Sequence, residues 1–419
     1  MKALNVAVIG GGSTYTPELV EGFIRYFGEM PIGQLRLMDI SEERLHVVGD
    51  LVQRMLGALP VELVRTTDRR QAIEGADFVI SQMRVGGLAA RALDEQIPLK
   101  YGILGQETTG PGGFAKALRT IPVMLDVARD VVRYAPDAWL INFTNPAGLI
   151  VEAIMRHTEA RVIGLCNVPF NMQMKVAKAL DVAPERVELQ YVGLNHLSWA
   201  RVLVDGVDRT PDALKLDWGG RSGQMDPAYL NALGLLPNYY LRYFAHPDRV
   251  LSDQLRAEET RAEYLQGVEA ELLDLYRDPK LAEKPKLLET RGGAYYSTVA
   301  VQLIRAIAQD RREVHIVNTR NGYSLPDLPE AAVVEAPSVV GASGAVPLAA
   351  GRLPPAVRAL AVTVKAYEEL TIEAAVTGNE DTAKMALLTH PLVPSWDVAT
   401  GLWNDIKAAH RAYLPQFAG

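Results

Sequence analysis

The first 165 residues alternate short apolar runs with longer segments in which apolar residues recur at helical spacing. Short apolar runs bounded by glycine or polar residues are typical of buried strands, and the segments between them are typical of helices. The alternation predicts a doubly wound parallel sheet with helices on both faces. The predicted strands are Leu4–Ile9, Leu35–Met38, Asp77–Ser81, Ala138–Phe143 and Arg161–Leu165, and the predicted helices begin near Thr16, run from Ser41 through Leu59, and run from Leu118 to Tyr134.

Past Cys166 the regular alternation fades, and strand and helix patterns come in mixed order. This mixture predicts a second domain of the α+β class, so we divide the chain into residues 1–165 and residues 166–419. The segments predicted in the second half are paired strands at Val187–Asn195 and Trp199–Val204, helices at Arg256–Tyr276, Ala294–Ala308, Val357–Thr377 and Asp397–Tyr413, and a loop-like stretch at Ser338–Pro355.

Charge and cysteine content exclude several classes of protein. The 419 residues carry 43 Lys and Arg against 50 Asp and Glu, a net charge of −7 without a basic block, which excludes a nucleic-acid partner. A single cysteine excludes an internal disulfide and favours a reducing compartment. The apolar runs at the start are strand-length and broken by glycine, so we expect neither a signal peptide nor a membrane span, and we expect a cytoplasmic protein.

The turn after the first predicted strand has the glycine spacing of a dinucleotide site. Gly10 and Gly12 let the backbone turn tightly, and with Ser13 and Thr14 they would place amide groups against a pyrophosphate. Asp39 ends the second strand, where it could accept from an adenosine ribose. The third glycine of the motif is absent, so a plain strand-to-helix turn is the alternative, and the surrounding alternation favours the nucleotide site.

Cys166 and His196 each follow the end of a predicted strand, where open α/β sheets place their ligands. A thiol and an imidazole form a soft pair that can hold a divalent metal, and two protein ligands leave positions for substrate oxygens. A metal beside a nicotinamide indicates redox-assisted chemistry on a sugar. The alternatives are a buried apolar cysteine and a hydrogen-bonded polar histidine.

A series of motifs extends over nearly the whole chain: Gly10–Leu19, Arg91–Gly102, Gly105–Gly110, Asn142–Pro146, Gly164–Pro169, Gly193–His196, Tyr240–Tyr243 and Arg291–Gly293. Together they resemble family 4 glycoside hydrolases, which depart from the usual two-carboxylate mechanism of glycosidases by using NAD. The resemblance implies a Rossmann-like sheet followed by an α+β domain, as in lactate and malate dehydrogenases, a bound NAD⁺ and a divalent metal, usually Mn²⁺.

The resemblance also implies a reaction and a substrate. In this family C3 of the sugar is oxidised, the C2 proton is removed, the aglycone is eliminated, water adds, and C3 is reduced again. Asn167 stands where the 6-phospho-α-glucosidases carry an aspartate, and an amide cannot protonate a leaving group. We therefore expect hydrolysis of 6-phospho-β-glucosides, such as cellobiose 6-phosphate, to glucose 6-phosphate.

Five further site residues follow from the resemblance. Tyr240 matches the base that removes the C2 proton, and Arg91 matches a phosphate-binding arginine, with Arg291 as a second candidate. Glu107 and Asn145 match residues near the sugar hydroxyls and the cofactor. The alternatives are an aromatic core cluster for Tyr240, surface positions for the arginines, and loop-ordering roles for Glu107 and Asn145.

Other functions remain compatible with the amino-terminal sheet. A 6-phospho-α-glucosidase of the same family would prefer the other anomer, and an NAD-dependent sugar or 2-hydroxyacid dehydrogenase would accumulate NADH. A catalytically inactive NAD-sensing regulator would bind NAD without cleaving a glycoside. Retention of Cys166, His196 and Tyr240 argues against loss of catalysis. The resemblance further suggests a homodimer or homotetramer.

Overall fold

The computed structural model describes residues 2–218, 225–291 and 296–418, without the side chains of residues 291, 296 and 297. The strands among these residues are β1 Leu4–Ile9, β2 Ile32–Met38, β3 Glu62–Thr66, β4 Phe78–Ser81, β5 Trp139–Asn142, β6 Arg161–Gly164, β7 Val187–Leu194, β8 Leu197–Val204, β9 Val207–Asp208, β10 Leu236–Pro237, β11 Glu313–Arg320, β12 Val333–Gly341 and β13 Gly344–Pro347.

The α-helices among the same residues are α1 Thr16–Arg25, α2 Glu42–Leu56, α3 Arg69–Ile73, α4 Gly87–Leu99, α5 Gly110–Tyr134, α6 Ala147–His157, α7 Val168–Ala179, α8 Thr210–Ala213, α9 Pro227–Leu233, α10 Arg242–Ala245, α11 Pro247–Arg256, α12 Arg261–Tyr276, α13 Tyr296–Ala308, α14 Pro355–Thr377, α15 Glu380–Thr389 and α16 Trp396–Ala409. None of the described helices is long and apolar enough to cross a membrane.

The first six strands form a parallel sheet in the order β3-β2-β1-β4-β5-β6. This is the strand order of a doubly wound dinucleotide-binding sheet, and it confirms the predicted fold class. In this register Ile9 of β1 lies beside Met38 of β2 and Ser81 of β4. The carboxyl ends of these strands therefore share one edge, on which the residues that follow them converge.

Strands from the second half of the chain extend the same sheet. Antiparallel β11, β12 and β13 follow β6, and β7, β8, β9 and β10 form a separate antiparallel sheet. The mixed α+β character of the second half is confirmed. The division at residue 165 stays a prediction, because the large sheet draws strands from both sides of it.

Four element predictions need correction. The loop-like stretch Ser338–Pro355 contains the end of β12 and all of β13, and Val339 of β12 pairs with Val346 of β13; the Gly and Ala content of the stretch concealed the alternation. The helix predicted over Arg256–Tyr276 begins only at Arg261, because Thr260 caps α12 in a capping box with Glu263, and Arg256 is the last residue of α11. The helix predicted from Leu118 already begins at Gly110, and α2 ends at Leu56 rather than Leu59.

Apolar clusters lie on both faces of the large sheet. One joins the sheet to α5, α6 and the carboxyl-terminal helices α14 to α16, and the other joins it to α1, α2, α12 and α13. A third cluster contains Cys166 and packs α7 against the small sheet. The end of β6 therefore lies at the junction of the two sheets.

Candidate active site

The turn between β1 and α1 is pressed against β2. Gly10 has a φ of +90°, and its amide and that of Gly11 both donate to the carbonyl of Met38. A Cβ on Gly11 would lie 2.8 Å from the Cβ of Leu37, so the close approach excludes a side chain there. The predicted glycine turn is therefore present, at the edge where a dinucleotide would bind.

Asp39 lies at the end of β2 and faces this turn. Its carboxylate accepts from the amides of Gly12 and Ser41, each at 3.0 Å. Ser13 accepts from the amide of Tyr15 at 3.2 Å. The carbonyl of the buried Thr14 accepts from a tyrosine hydroxyl of α12 at 2.7 Å. The structure thus places all five residues predicted for the cofactor at the carboxyl ends of β1 and β2.

Cys166 and His196 approach one another through Asn195. Cys166 follows β6, and His196 lies in the turn between β7 and β8 with a φ of +63°. The Asn195 side chain lies close enough to the Cys166 thiol to lower its pKa, but burial outweighs this effect and raises that pKa well above its usual range. Both predicted ligands are buried, each with 7% of its surface exposed. Both therefore adjoin Asn195, His196 along the chain and Cys166 through the Asn195 side chain.

Hydrogen bonding fixes the tautomer of His196. The Thr108 hydroxyl donates to Gln106 Oε1 at 2.9 Å, so it accepts from Nδ1 of His196 at 3.0 Å. Burial lowers the pKa of His196 to about 3, so the ring is neutral at physiological pH. Nδ1 therefore carries the proton, and Nε2 keeps its lone pair. This is the form in which histidine binds a metal.

These residues fit a divalent metal that has two protein ligands. Among the described residues there is no group of three or more His, Cys, Asp and Glu side chains arranged to hold a metal. Cys166 and His196 would hold the ion, and substrate oxygens would complete the coordination shell. The donor chemistry therefore suits a catalytic site rather than a closed structural one.

Tyr240 lies face to face with His196. The two ring centroids are 3.8 Å apart and the planes differ by 5°. The ring of Tyr239 lies against that of Tyr240, with centroids 4.5 Å apart and planes that differ by 32°. Burial, followed by the neighbouring tyrosines, raises the pKa of Tyr240 well above its usual range. The predicted base therefore adjoins the proposed metal ligands, and it needs a nearby cation to become a phenolate.

Glu107 is surrounded by three cations. Its carboxylate lies 3.0 Å from Arg91 Nη1 and 2.7 Å from Lys116 Nζ, and it forms a third ion pair with Arg84. Burial alone would raise the pKa of Glu107, but Arg84, Arg91 and Lys116 hold it well below its usual range. The sequence reasoning missed Arg84 and Lys116. The available signal was a lysine at a buried position inside an apolar helical run.

Arg91 is buried, with 8% of its surface exposed. Its Nε donates to Glu95 at 2.7 Å, and its Nη1 contacts Glu107. Two predicted substrate residues, Arg91 and Glu107, are therefore in direct contact. The two carboxylates occupy two of the five N–H groups of the guanidinium.

The remaining predicted substrate residues follow strand ends. Asn145 lies after β5 and is half-buried, and Asn167 follows Cys166 at the amino terminus of α7. The side chain of Arg291 lies outside the described residues. Pro146, next to Asn145, lines a cleft together with Asn195 and His196. Asn145 therefore adjoins the site through its neighbour.

Family models match both halves of the chain. Residues 5–182 match the model described as family 4 glycosyl hydrolase, and residues 191–393 match the carboxyl-terminal domain of the same family. A probable 6-phospho-β-glucosidase of Bacillus subtilis is 47% identical over 99% of this chain and 98% of its own. A maltose-6'-phosphate glucosidase of the same organism is 30% identical over 99% and 97% of the two chains.

Solved structures agree with these sequence matches. The 6-phospho-β-glucosidase of Thermotoga maritima, solved with manganese, NAD⁺ and glucose 6-phosphate, has a TM-score of 0.92 at 38% identity and covers 98% of this chain and 99% of its own. A lactate dehydrogenase of Eimeria maxima, at 15% identity and a TM-score of 0.54, shares the fold, as the sequence predicts. The chain belongs to family 4 of the glycoside hydrolases.

Proposed function

We propose that the protein hydrolyses 6-phospho-β-glucosides to glucose 6-phosphate and an aglycone, with NAD⁺ and a divalent metal, Mn²⁺ or a similar ion. One observation carries the proposal. The Tyr240 ring stacks on His196, which follows Asn195 beside Cys166, in a chain that is similar over its whole length to 6-phospho-β-glucosidases.

Each group that is not part of the chain supplies one kind of chemistry when bound. NAD⁺ provides reversible hydride acceptance at C3 of the sugar, and the metal provides Lewis-acid polarisation of the sugar oxygens at C2 and C3. Gly10, Gly12, Ser13, Thr14 and Asp39 would hold the dinucleotide. Cys166 and His196 would hold the metal.

Tyr240 removes the C2 proton in this proposal. Its ring stacks on His196, and this contact supports a position of the hydroxyl near the sugar carbon whose oxygen the site would bind. Oxidation at C3 acidifies the C2 hydrogen, so a phenolate is a sufficient base. Proton loss at C2 is followed by expulsion of the aglycone from C1, water addition, and return of a proton to C2.

The charged cluster around Glu107 would recognise the phosphorylated sugar. Arg91 keeps guanidinium N–H groups beyond those used by Glu95 and Glu107, and it would donate them to the phosphate. Arg291 is the second candidate for this role. Glu107 and Asn145 would contact the sugar hydroxyls or the cofactor, and Asn167 would face the leaving group and favour the β-anomer.

The test is release of p-nitrophenol from its 6-phospho-β-glucoside and 6-phospho-α-glucoside, each with and without NAD⁺ and Mn²⁺. The proposal expects release from the β-substrate that requires both additions, without accumulation of NADH. Preference for the α-substrate would contradict the role of Asn167. Accumulation of NADH without cleavage would indicate a dehydrogenase, and NAD binding without either reaction would indicate a regulator.

We also propose that the enzyme acts in the cytoplasm as a homodimer or homotetramer. Its single cysteine is a free thiol, which suits a reducing compartment. Light scattering of the purified protein at two concentrations would measure the oligomeric state, and a monomer at both concentrations would contradict this part of the proposal.

A further inference from the structure

A buried carboxylate lies behind the proposed metal ligands. Glu335, on β12, has no exposed surface. Among the residues that the structure describes, no Lys, Arg or His forms an ion pair with it, although buried carboxylates are usually paired with a cation. Burying such a group costs more than burying an apolar residue of similar size, so its presence calls for a physical reason.

Neutral donors hold both oxygens of Glu335. Oε1 accepts from Asn195 Nδ2 at 2.9 Å and from Asn318 Nδ2 at 3.2 Å. Oε2 accepts from the Tyr191 hydroxyl at 2.7 Å. The carboxylate is therefore fixed on both sides, and Asn195 is one of the groups that it fixes in turn.

Asn195 connects Glu335 to both proposed ligands. Its side chain lies beside the Cys166 thiol, and its backbone is bonded directly to His196, whose φ of +63° is unusual for a residue other than glycine. A change in the position of the Asn195 side chain would therefore displace the contact to the thiol. It would also loosen the turn that orients the imidazole.

The sheet register places Glu335 under the end of β6. Glu335 pairs with Asn318, and Asn318 pairs with Gly164, two residues before Cys166. A Cβ on Gly164 would lie 2.9 Å from the Cβ of Asn318, so the absence of a side chain lets β6 and β11 approach. The pairing across β6, β11 and β12 thus places Glu335 two strands from the end of β6, which Cys166 follows.

We infer that Glu335 is a positioning residue for the divalent-metal site and acts through Asn195 on Cys166 and His196. The inference rests on the metal site of the proposed function. Outer carboxylates that orient metal ligands change metal affinity by about 10–100-fold when they are replaced. Glu335→Leu removes all the acceptors at similar volume, whereas Glu335→Gln keeps one oxygen that can face Asn195.

The experiment titrates Co²⁺ into the metal-free protein and records the thiolate-to-cobalt charge-transfer absorption, which reports ligation by Cys166. E335L should weaken Co²⁺ binding by about 10–100-fold and reduce this absorption, and E335Q should lose less than about ten-fold. Tyr191→Phe is the matched control, because it removes a hydrogen bond to the other oxygen of the same carboxylate; its Kd for Co²⁺ should equal that of the wild type. The Kd for NAD⁺ should not change in any variant.

A double-mutant cycle tests the path through Asn195. If Glu335 acts through Asn195, adding E335L to the Asn195→Ala variant should change the Kd for Co²⁺ little further. Three results would each overturn the inference: fully additive losses of Co²⁺ affinity in the double variant, a Co²⁺ affinity of E335Q as low as that of E335L, or an unchanged Kd for Co²⁺ in folded E335L. Wild-type protein that bound no Co²⁺ would overturn the proposed metal site together with this inference, whereas intact binding in E335L would overturn the inference alone.

Discussion

Replacing Tyr240 with Phe removes one oxygen and leaves the ring in place. The stacking distance of 3.8 Å to His196 and the edge contact of 5.8 Å to Tyr243 depend on the ring alone. We therefore expect a folded protein whose substrate and metal affinities are close to those of the wild type.

The effect on proton abstraction should be much larger. A positioned general base contributes about 10²–10⁴-fold, which corresponds to about 2.7–5.4 kcal/mol of activation free energy. The assay follows exchange of the C2 hydrogen of a 6-phospho-β-glucoside with D₂O by NMR, in the presence of NAD⁺ and Mn²⁺. Because burial raises the pKa of Tyr240, the wild-type exchange rate should also increase with pH above neutrality.

Tyr239→Phe is the matched control, since it makes the same chemical change on the adjacent ring. Its exchange rate should fall far less than that of Y240F, because its ring stacks on Tyr240 rather than on His196. Exchange in Y240F at the wild-type rate would refute the assignment. An equal loss in both variants would show that the pair of hydroxyls, and not Tyr240 alone, performs the step.

Three other predictions concern cofactor binding and stability. Gly12→Ala would place a Cβ 2.9 Å from the carboxylate of Asp39, so the Kd for NAD⁺ in a calorimetric titration should rise at least about five-fold. Gly28 has open space around it, so Gly28→Ala is the control and should leave the Kd for NAD⁺ unchanged. Lys365→Met leaves the buried Glu368 without its cation and Glu152 with Arg156 alone, so it should cost about 3–5 kcal/mol in urea unfolding. Lys407→Met, whose ion pair is partly exposed, should cost less than about 1 kcal/mol. Burial lowers the pKa of His390 to about 3, so the neutral ring contributes fully to stability above pH 6.5, and this contribution is lost as the pH falls toward 3. Between these two pH values, His390→Gln should reduce the slope of the unfolding free energy against pH by at most about 1.4 kcal/mol per pH unit.

Five of the six parallel strands could be predicted because each is a short apolar run followed by a turn, whereas the edge strand β3 was missed because it contains Glu62 and Arg65 and is mostly half-exposed. The carboxyl ends of parallel strands share one edge of the sheet, where open α/β sheets bind their ligands. This rule predicted that one edge would carry the glycines after β1, Asp39 after β2 and Cys166 after β6. The edge strand β13 was missed because glycine and alanine conceal a period of two.

Partners of the site that come from distant segments could not be predicted. Lys116 reaches Glu107 from the face of α5, and nothing in the order of residues shows that this face meets the site. Glu335 stands alone in an apolar strand, which marks it as unusual but does not identify Asn195 as its partner. The position of Glu335 depends on the pairing of strands β6, β11 and β12, and that pairing is a property of the assembled sheet.

The most direct test of the proposed mechanism is cleavage of p-nitrophenyl 6-phospho-β-glucoside in D₂O, with the mass and NMR spectrum of the glucose 6-phosphate formed. Abstraction of the C2 proton and its later return from solvent predict one deuterium at C2 in each product molecule. Product that carries no deuterium at C2, released at the full rate, would contradict the account and indicate direct displacement at C1.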